Sequence, residues 1–167
     1  MENCDMWADV CHFHEKFDIP QTEMSSFLPK DMMQFRVEFL KEEVEEFVDA
    51  YMTDNVYKAF DALIDLVYVA LGTAYMMNLP WNVGWQHVQD ANMRKERAKT
   101  VAESKRGTTI DVVKPEGWVA PDDLLVIEIL KLRHEVFLKR FFELQRKKEE
   151  EAKREENKDI VSDRPVD

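Results

Sequence analysis

At 167 residues, 45% of them hydrophobic, the chain is the length of one domain and can bury a real core. Its formal charge of −11 argues against non-specific binding to nucleic acid or anionic membranes, though bound cations would still admit a phosphate-bearing small molecule. With 4 glycines, 6 prolines and only Cys4 and Cys11, the composition favours helix, no disulfide framework and a reducing, cytoplasmic setting.

Residues Met6 to Lys16 read as a first helix, followed by a loop from Asp18 to Pro29 punctuated by two prolines. Asp31 is the expected N-cap of a helix to Met52, in which Met33, Val37, Leu40, Val44, Phe47, Val48 and Tyr51 recur at helical spacing. After the turn Thr53-Asp54-Asn55, a third helix is expected from Val56 to Met77. Asn78-Leu79-Pro80 closes it, and a fourth helix runs from Trp81 to about Ala98. Residues 103–121, with Gly107, Pro115, Gly117 and Pro121, read as loop or extended chain. Asp122 or Asp123 then caps a long terminal helix that starts apolar and decays into Lys147-Lys148-Glu149-Glu150-Glu151, with a frayed last dozen residues. No secretory signal opens the chain and no apolar run reaches ~20 residues uninterrupted, so no membrane-spanning helix is expected. The expected fold is all-α: a bundle of four to five helices with an extended C-terminal helix, divided into residues 1–123 and a C-terminal helix and charged tail, 124–167.

Two acidic clusters fall on consecutive helices. Glu42, Glu43, Glu45 and Glu46 lie in the second; Asp61 and Asp65 lie in the third, among Ala59, Phe60, Leu63, Ile64, Leu66, Val67 and Val69. With Glu42 at zero on a helical wheel of ~100° per residue, Glu46 falls near 40° and Glu43 near 100°, opposite the stripe of Leu40, Val44 and Phe47. A solvated acidic face is the ordinary reading of such a helix. Two features point elsewhere. Phe35 and Phe39 fall among the acids, and a helix apolar almost all round, like the one holding Asp61 and Asp65, is expected to be buried. Unpaired carboxylates in an apolar setting are costly, and a hard divalent cation is their natural compensator.

Other metal chemistry fits less well. None of His12, His14, His87 and His134 has a Glu three residues before it, as a di-iron bundle would want. Cys4, Cys11, His12 and His14 lack the usual zinc spacing and read as core or pocket lining.

Four segments then resemble one known family, the all-α nucleoside triphosphate pyrophosphohydrolases, which include MazG-like and phosphoribosyl-ATP pyrophosphohydrolase-like enzymes. Arg36-x-x-Phe39-Leu40-x-Glu42-Glu43-x-x-Glu46-Phe47 is similar to the family's first motif, and the run Asp61 to Thr73 to its second. His87 to Lys95 and Asp111 to Pro121 resemble two distal motifs of its phage and bacterial branch. The family's second motif is Glu-x-x-Asp, but position 62 is alanine; Asp61, one residue earlier, is the candidate replacement.

The resemblance implies cleavage between the α and β phosphates of a (d)NTP to a (d)NMP and pyrophosphate, shaping the nucleotide pool. In the phage branch the preferred substrate is a purine deoxynucleotide such as dGTP, acted on in the host cytoplasm. It implies two or more Mg²⁺ ions, or Mn²⁺, held by Glu43, Glu46, Asp61 and Asp65. Glu42 or Glu43 is the candidate general base, and Asn92, Lys95, Lys114, Trp118 and Arg36 are candidate substrate contacts. It also implies a homo-oligomer, dimer or tetramer, with no nucleic-acid or membrane partner. The same chemistry on dUTP, damaged nucleotides or (p)ppGpp is an alternative. So is a helical interaction protein acting through its long charged C-terminal helix, and the ordinary reading of Lys95 and Arg97 is an exposed helix C-terminus complementing the dipole.

Overall fold

The Asp5 carboxylate accepts from the Ala8 amide at 3.1 Å and so starts α1 (Met6–Lys16), satisfying a donor that a helix N-terminus leaves without a partner. This is the first element of a computed structural model that describes residues 5–162, the side chains of 152 and 155–162 excepted. The described chain is all-α. After α1 come α2 (Lys30–Met52), α3 (Val56–Met76), α4 (Trp81–Met93) and the 41-residue α5 (Asp122–Ser162). A two-residue antiparallel ribbon, β1 (Glu96–Arg97) against β2 (Val112–Val113), and a 3-10 turn at Val101–Glu103 lie between α4 and α5. The frayed C-terminal end expected from sequence is helical to Ser162; residues 163–167, and Cys4, lie outside the described residues.

Several helix ends differ from the sequence reading. Asp31 does not cap α2: the Pro29 carbonyl accepts from Met33 at 2.8 Å, and Asp31 sits in the first turn, where its charge favours the dipole. Asp122 and Asp123 likewise sit in the first turn of α5, whose first bond runs from Leu125 to the Pro121 carbonyl at 3.0 Å. α4 ends at Met93 instead of Ala98. The Ala91 carbonyl, which would take the Lys95 amide in a continuing helix, accepts from the Trp118 indole N–H at 2.8 Å. The Lys95 amide donates to Asn92 instead, and the chain turns into β1, burying Ala98.

α2 and α3 form the principal hairpin around the 53–55 turn, where Asp54 takes a positive φ and Asn55 caps α3 by accepting from Lys58 at 3.1 Å. α1 packs on α3, and α4 pairs with α5 around an apolar cavity of about 340 Å³ between Trp81, Trp85, Val88, Leu125 and Ile129. The face α2 buries is not its apolar stripe. Arg36, Glu43 and Ala50, spaced seven apart, are its buried residues, whereas Val44, Phe47 and Val48 are exposed. α3 is also buried only in part. Val69, Leu71–Ala74 and Met76 are covered; Phe60, Leu63, Ile64 and Val67 are open. By length and composition α3 is apolar enough to cross a membrane, but Asp61 and Asp65 interrupt its apolar run and here it packs on α1 and α2.

The segment before α2 is fastened twice. Asn78, at positive φ just past α3, donates to the Thr22 carbonyl at 3.1 Å, and Ser25 donates back to the Asn78 carbonyl at 2.5 Å. From the other side, the Arg133 guanidinium of α5 donates twice to the Ser25 carbonyl, at 2.8 and 2.5 Å, and Arg140 pairs with Glu23.

Candidate active site

Because Arg36 and Glu43 share the inward face of α2, both reach a cleft of about 470 Å³ between α1, α2 and α3. Phe13, Phe35, Phe39 and Tyr68 wall it, and Asp65 stands with Glu43 at its acidic end. Phe35 and Phe39, expected to touch something, lie with ring centroids 5.9 Å apart along this wall; Phe13 meets Tyr68 edge-on at 5.5 Å.

Glu43 is 6% exposed, and its carboxyl is held above its ordinary value. Burial is the main cause. The charges of Asp65, Glu46, Glu42 and Asp61 follow in that order, and no cation offsets them. Four of the other acids singled out in the sequence thus act on Glu43 through their charge. Among the described residues Glu43 has neither a hydrogen-bond donor nor a cation against it. Ala62, where the family motif has glutamate, faces the core at 1% exposure, while Asp61 is exposed beside it.

An all-oxygen, multiply anionic donor set suits a hard divalent cation. As the side chains stand, no group of three or more His, Cys, Asp or Glu among the described residues is close enough to hold an ion. Glu42, Glu46, Asp61 and Asp65 are exposed, so their rotamers are free to turn inward.

Arg36 joins the acids in the cleft; the other predicted substrate contacts form a separate group. Lys95 donates to Asn92 Oδ1 at 2.8 Å, and the ammonium groups of Lys95 and Lys114 lie 5.7 and 4.2 Å from the Trp118 ring centroid. Arg106 and Ser104 bond Asp111 at 2.5 and 2.9 Å, bracing the loop that carries Lys114 and Trp118. Among the described residues, no hydrogen bond or ion pair joins this basic group to the acids.

Sequence reasoning placed His14 as pocket lining and missed the residues around it. His14 Nδ1 donates to the Val10 carbonyl at 2.8 Å, and the ring packs on Tyr75 with centroids 4.8 Å apart. Gly72 leaves the space for it: a Cβ there would lie 2.7 and 2.9 Å from the His14 ring and 3.2 Å from Arg36 Nη2. Thr73 accepts from Arg36 Nε at 3.0 Å. A glycine and a threonine inside an apolar helix were the available signal.

Residues 10–92 match the phosphoribosyl-ATP pyrophosphohydrolase family. No curated protein matches the chain. The matched segment runs from α1 through α4 and includes Arg36, the five acids and Asn92, the parts whose geometry is described above. Through residues 10–92 the chain belongs to the phosphoribosyl-ATP pyrophosphohydrolase family, within the MazG-like all-α superfamily, and is a pyrophosphohydrolase acting on a nucleotide-like substrate.

Proposed function

We propose that the protein cleaves the α–β phosphate bond of a deoxynucleoside triphosphate, a purine such as dGTP, in a reaction that depends on Mg²⁺ or Mn²⁺. The observation that carries this is Glu43: a buried carboxylate ringed by four others, with no protein cation against it, opening on a cleft that also holds a guanidinium. Bound divalent ions supply charge neutralisation for the phosphates and a more acidic water. Glu43, Glu46, Asp61 and Asp65 are the residues that would hold them.

The chain's own contribution is positional and acid–base. Glu42 or Glu43 would take the proton of the attacking water. Aromatic walls offer flat faces to a base. Lys95 and Lys114, free of carboxylate partners among the described residues, suit the outer phosphates. Among the described residues no hydrogen bond or ion pair joins them to the acids, and a homo-oligomer would allow the site to be completed between copies. The exposed Phe47, Tyr51, Phe60, Leu63, Ile64 and Val67 supply an apolar surface for it. Light scattering should give a multiple of the protomer mass, and Leu63→Asp should reduce it.

The deciding experiment is pyrophosphate release from a panel of dNTPs and NTPs, with Mg²⁺, Mn²⁺ or chelator, on the native protein and Asp65→Ala. Metal-dependent turnover lost in a folded variant supports the reading; turnover indifferent to chelator and to Asp65→Ala sinks it. The competing role, an interaction protein acting through α5, draws on exposed Phe137, Phe141, Phe142 and Leu144. It requires no effect of Asp65→Ala on partner binding.

A further inference from the structure

Arg36 is a buried cation, 7% exposed, with no anion paired to it among the described residues. Its bonds go to neutral acceptors: Nε to Thr73 Oγ1 at 3.0 Å and Nη2 to the Val69 carbonyl at 2.7 Å. Thr73 Oγ1 donates to that same carbonyl at 2.8 Å, so the anchor is rigid. Nη1 has no partner among the described residues, and the guanidinium lines the cleft. Its Cζ lies 5.3 Å from the Phe39 ring centroid, and Nη1 is not among the buried unpartnered atoms, so a ligand in the cleft can reach it.

Next to it stands a fixed acceptor. A carbonyl only accepts, so the 2.8 Å bond to Val10 places the His14 ring proton on Nδ1 and leaves Nε2 bare in the neutral ring. Burial first, and the Arg36 charge as well, hold His14 below its ordinary pKa and keep it neutral. Nε2 and Arg36 Nη2 approach the same point above Gly72, at 2.9 and 3.2 Å from where a Cβ would sit. Donor and acceptor therefore lie side by side at the aromatic end of the cleft. Seven residues of helix put the Arg36 backbone ~10 Å from that of Glu43. That is the scale of the reach from a nucleotide's phosphate to the far edge of its base.

We propose that Arg36 and His14 read the base, selecting a lactam edge, with a carbonyl beside a ring N–H, over an amidine edge, with an amino group beside a bare ring nitrogen. Guanine, hypoxanthine, uracil and thymine present the first; adenine and cytosine present the second. In a lactam complex Arg36 donates to the base carbonyl and the base N–H donates to His14 Nε2. With the phosphates anchored at the acidic end and the base held in that same register, adenine gets both pairs wrong: the amino group faces a guanidinium and the ring nitrogen faces another lone pair. Mismatched buried polar groups are what give large discrimination. The broad aromatic walls favour the larger purine among the lactam bases. The inference rests on the acidic cleft as the nucleotide site and names the substrate class within it.

The test is equilibrium binding, by calorimetry with Mg²⁺, of dGMP, dIMP, dUMP, dAMP and dCMP to the native full chain. No folding defect enters, and turnover is not needed. The expected result is dGMP and dIMP together, tighter than dAMP by on the order of 10- to 100-fold, and dUMP tighter than dCMP. Thr73→Val, which frees Arg36 Nε while keeping both reading groups, should narrow the ratio and, because it leaves a buried donor unpaired, also lower the thermal midpoint by a few degrees. Equal affinities, tighter dAMP, or no binding of any monophosphate overturn the proposal. So does an Arg36→Met variant that remains folded and weakens all five ligands and pyrophosphate equally, since Arg36 would then be a phosphate ligand. Base-selective binding without hydrolysis would sink the reaction and leave this inference standing. Hydrolysis of all dNTPs at equal kcat/KM would do the reverse.

Discussion

Gly72→Ala and Gly84→Ala are one chemical change in two helices, and their surroundings give them opposite signs. Alanine improves on glycine in a helix interior by ~1 kcal/mol. At Gly84 the new methyl meets only Leu125 Cδ2 at 3.4 Å, an ordinary contact, so most of that gain should survive. At Gly72 it would lie 2.7 Å from His14 Cε1 and 2.9 Å from Nε2. The ring cannot slide freely: Nδ1 is tied to the Val10 carbonyl and Tyr75 packs against it. On the other side Arg36 Nη2, at 3.2 Å, is tied to Val69. Overpacking of this kind costs ~1–3 kcal/mol, and losing the Nδ1 bond adds ~1. The overpacking outweighs the propensity gain, and the two variants should differ by ~2–4 kcal/mol. At ~2–4 °C per kcal/mol for a domain of this size, their melting midpoints should lie on the order of 10 °C apart, with the native protein between. Urea denaturation at unchanged m-value reads the same difference. A Gly72→Ala protein as stable as the native one would refute the packing of His14 and Arg36 on Gly72.

Glu43 is raised above its ordinary 4.5 in the folded state, so its ionised form disfavours folding. That cost is absent below the unfolded value, grows as pH rises through the raised folded value and is complete above it. In chelator, Glu43→Gln should therefore melt higher than the native protein at neutral pH and lose this slope near and above pH 4.5; identical slopes would count against the raised carboxyl. Saturating Mg²⁺ or Mn²⁺ at ~100 times Kd should stabilise the native protein by ~2.7 kcal/mol and leave the melting of Asp65→Ala much less changed. Arg133→Ala removes both donors from the Ser25 carbonyl and should cost ~1–3 kcal/mol by denaturant titration, with Arg133→Lys restoring part.

How legible the site was depended on the range of the interactions that build it. The acids and the two phenylalanines were readable because spacing along one helix fixes which residues share a face. The buried face of α2 was not. A wheel selects Leu40, Val44 and Phe47, yet Arg36 and Glu43 are inward, a local rule broken where the cleft needs charge. The end of α4 was misread because its competitor, the Trp118 indole, arrives from 27 residues away. Both missed caps have one cause: Pro29 and Pro121 accept the first helical bond through their carbonyls, and no side chain is required. His14, Gly72 and Thr73 come from two helices and acquire meaning only when those helices meet.

The clasp between Arg133 and Ser25 spans 108 residues, whereas α2 and α3 are joined by a three-residue turn at 53–55. Loop-closure entropy grows with the logarithm of length, so the hairpin forms readily and the clasp is the slow partner. Synthesis from the N-terminus enforces the same order, because the ribosome makes all of α1 to α4 before it makes Arg133. Until α5 arrives, the Ser25 carbonyl has only water to bond, and the strip of chain between α1 and α2 is tied at one side alone. On the nascent chain, the segment beside the cleft is therefore the last part to be locked.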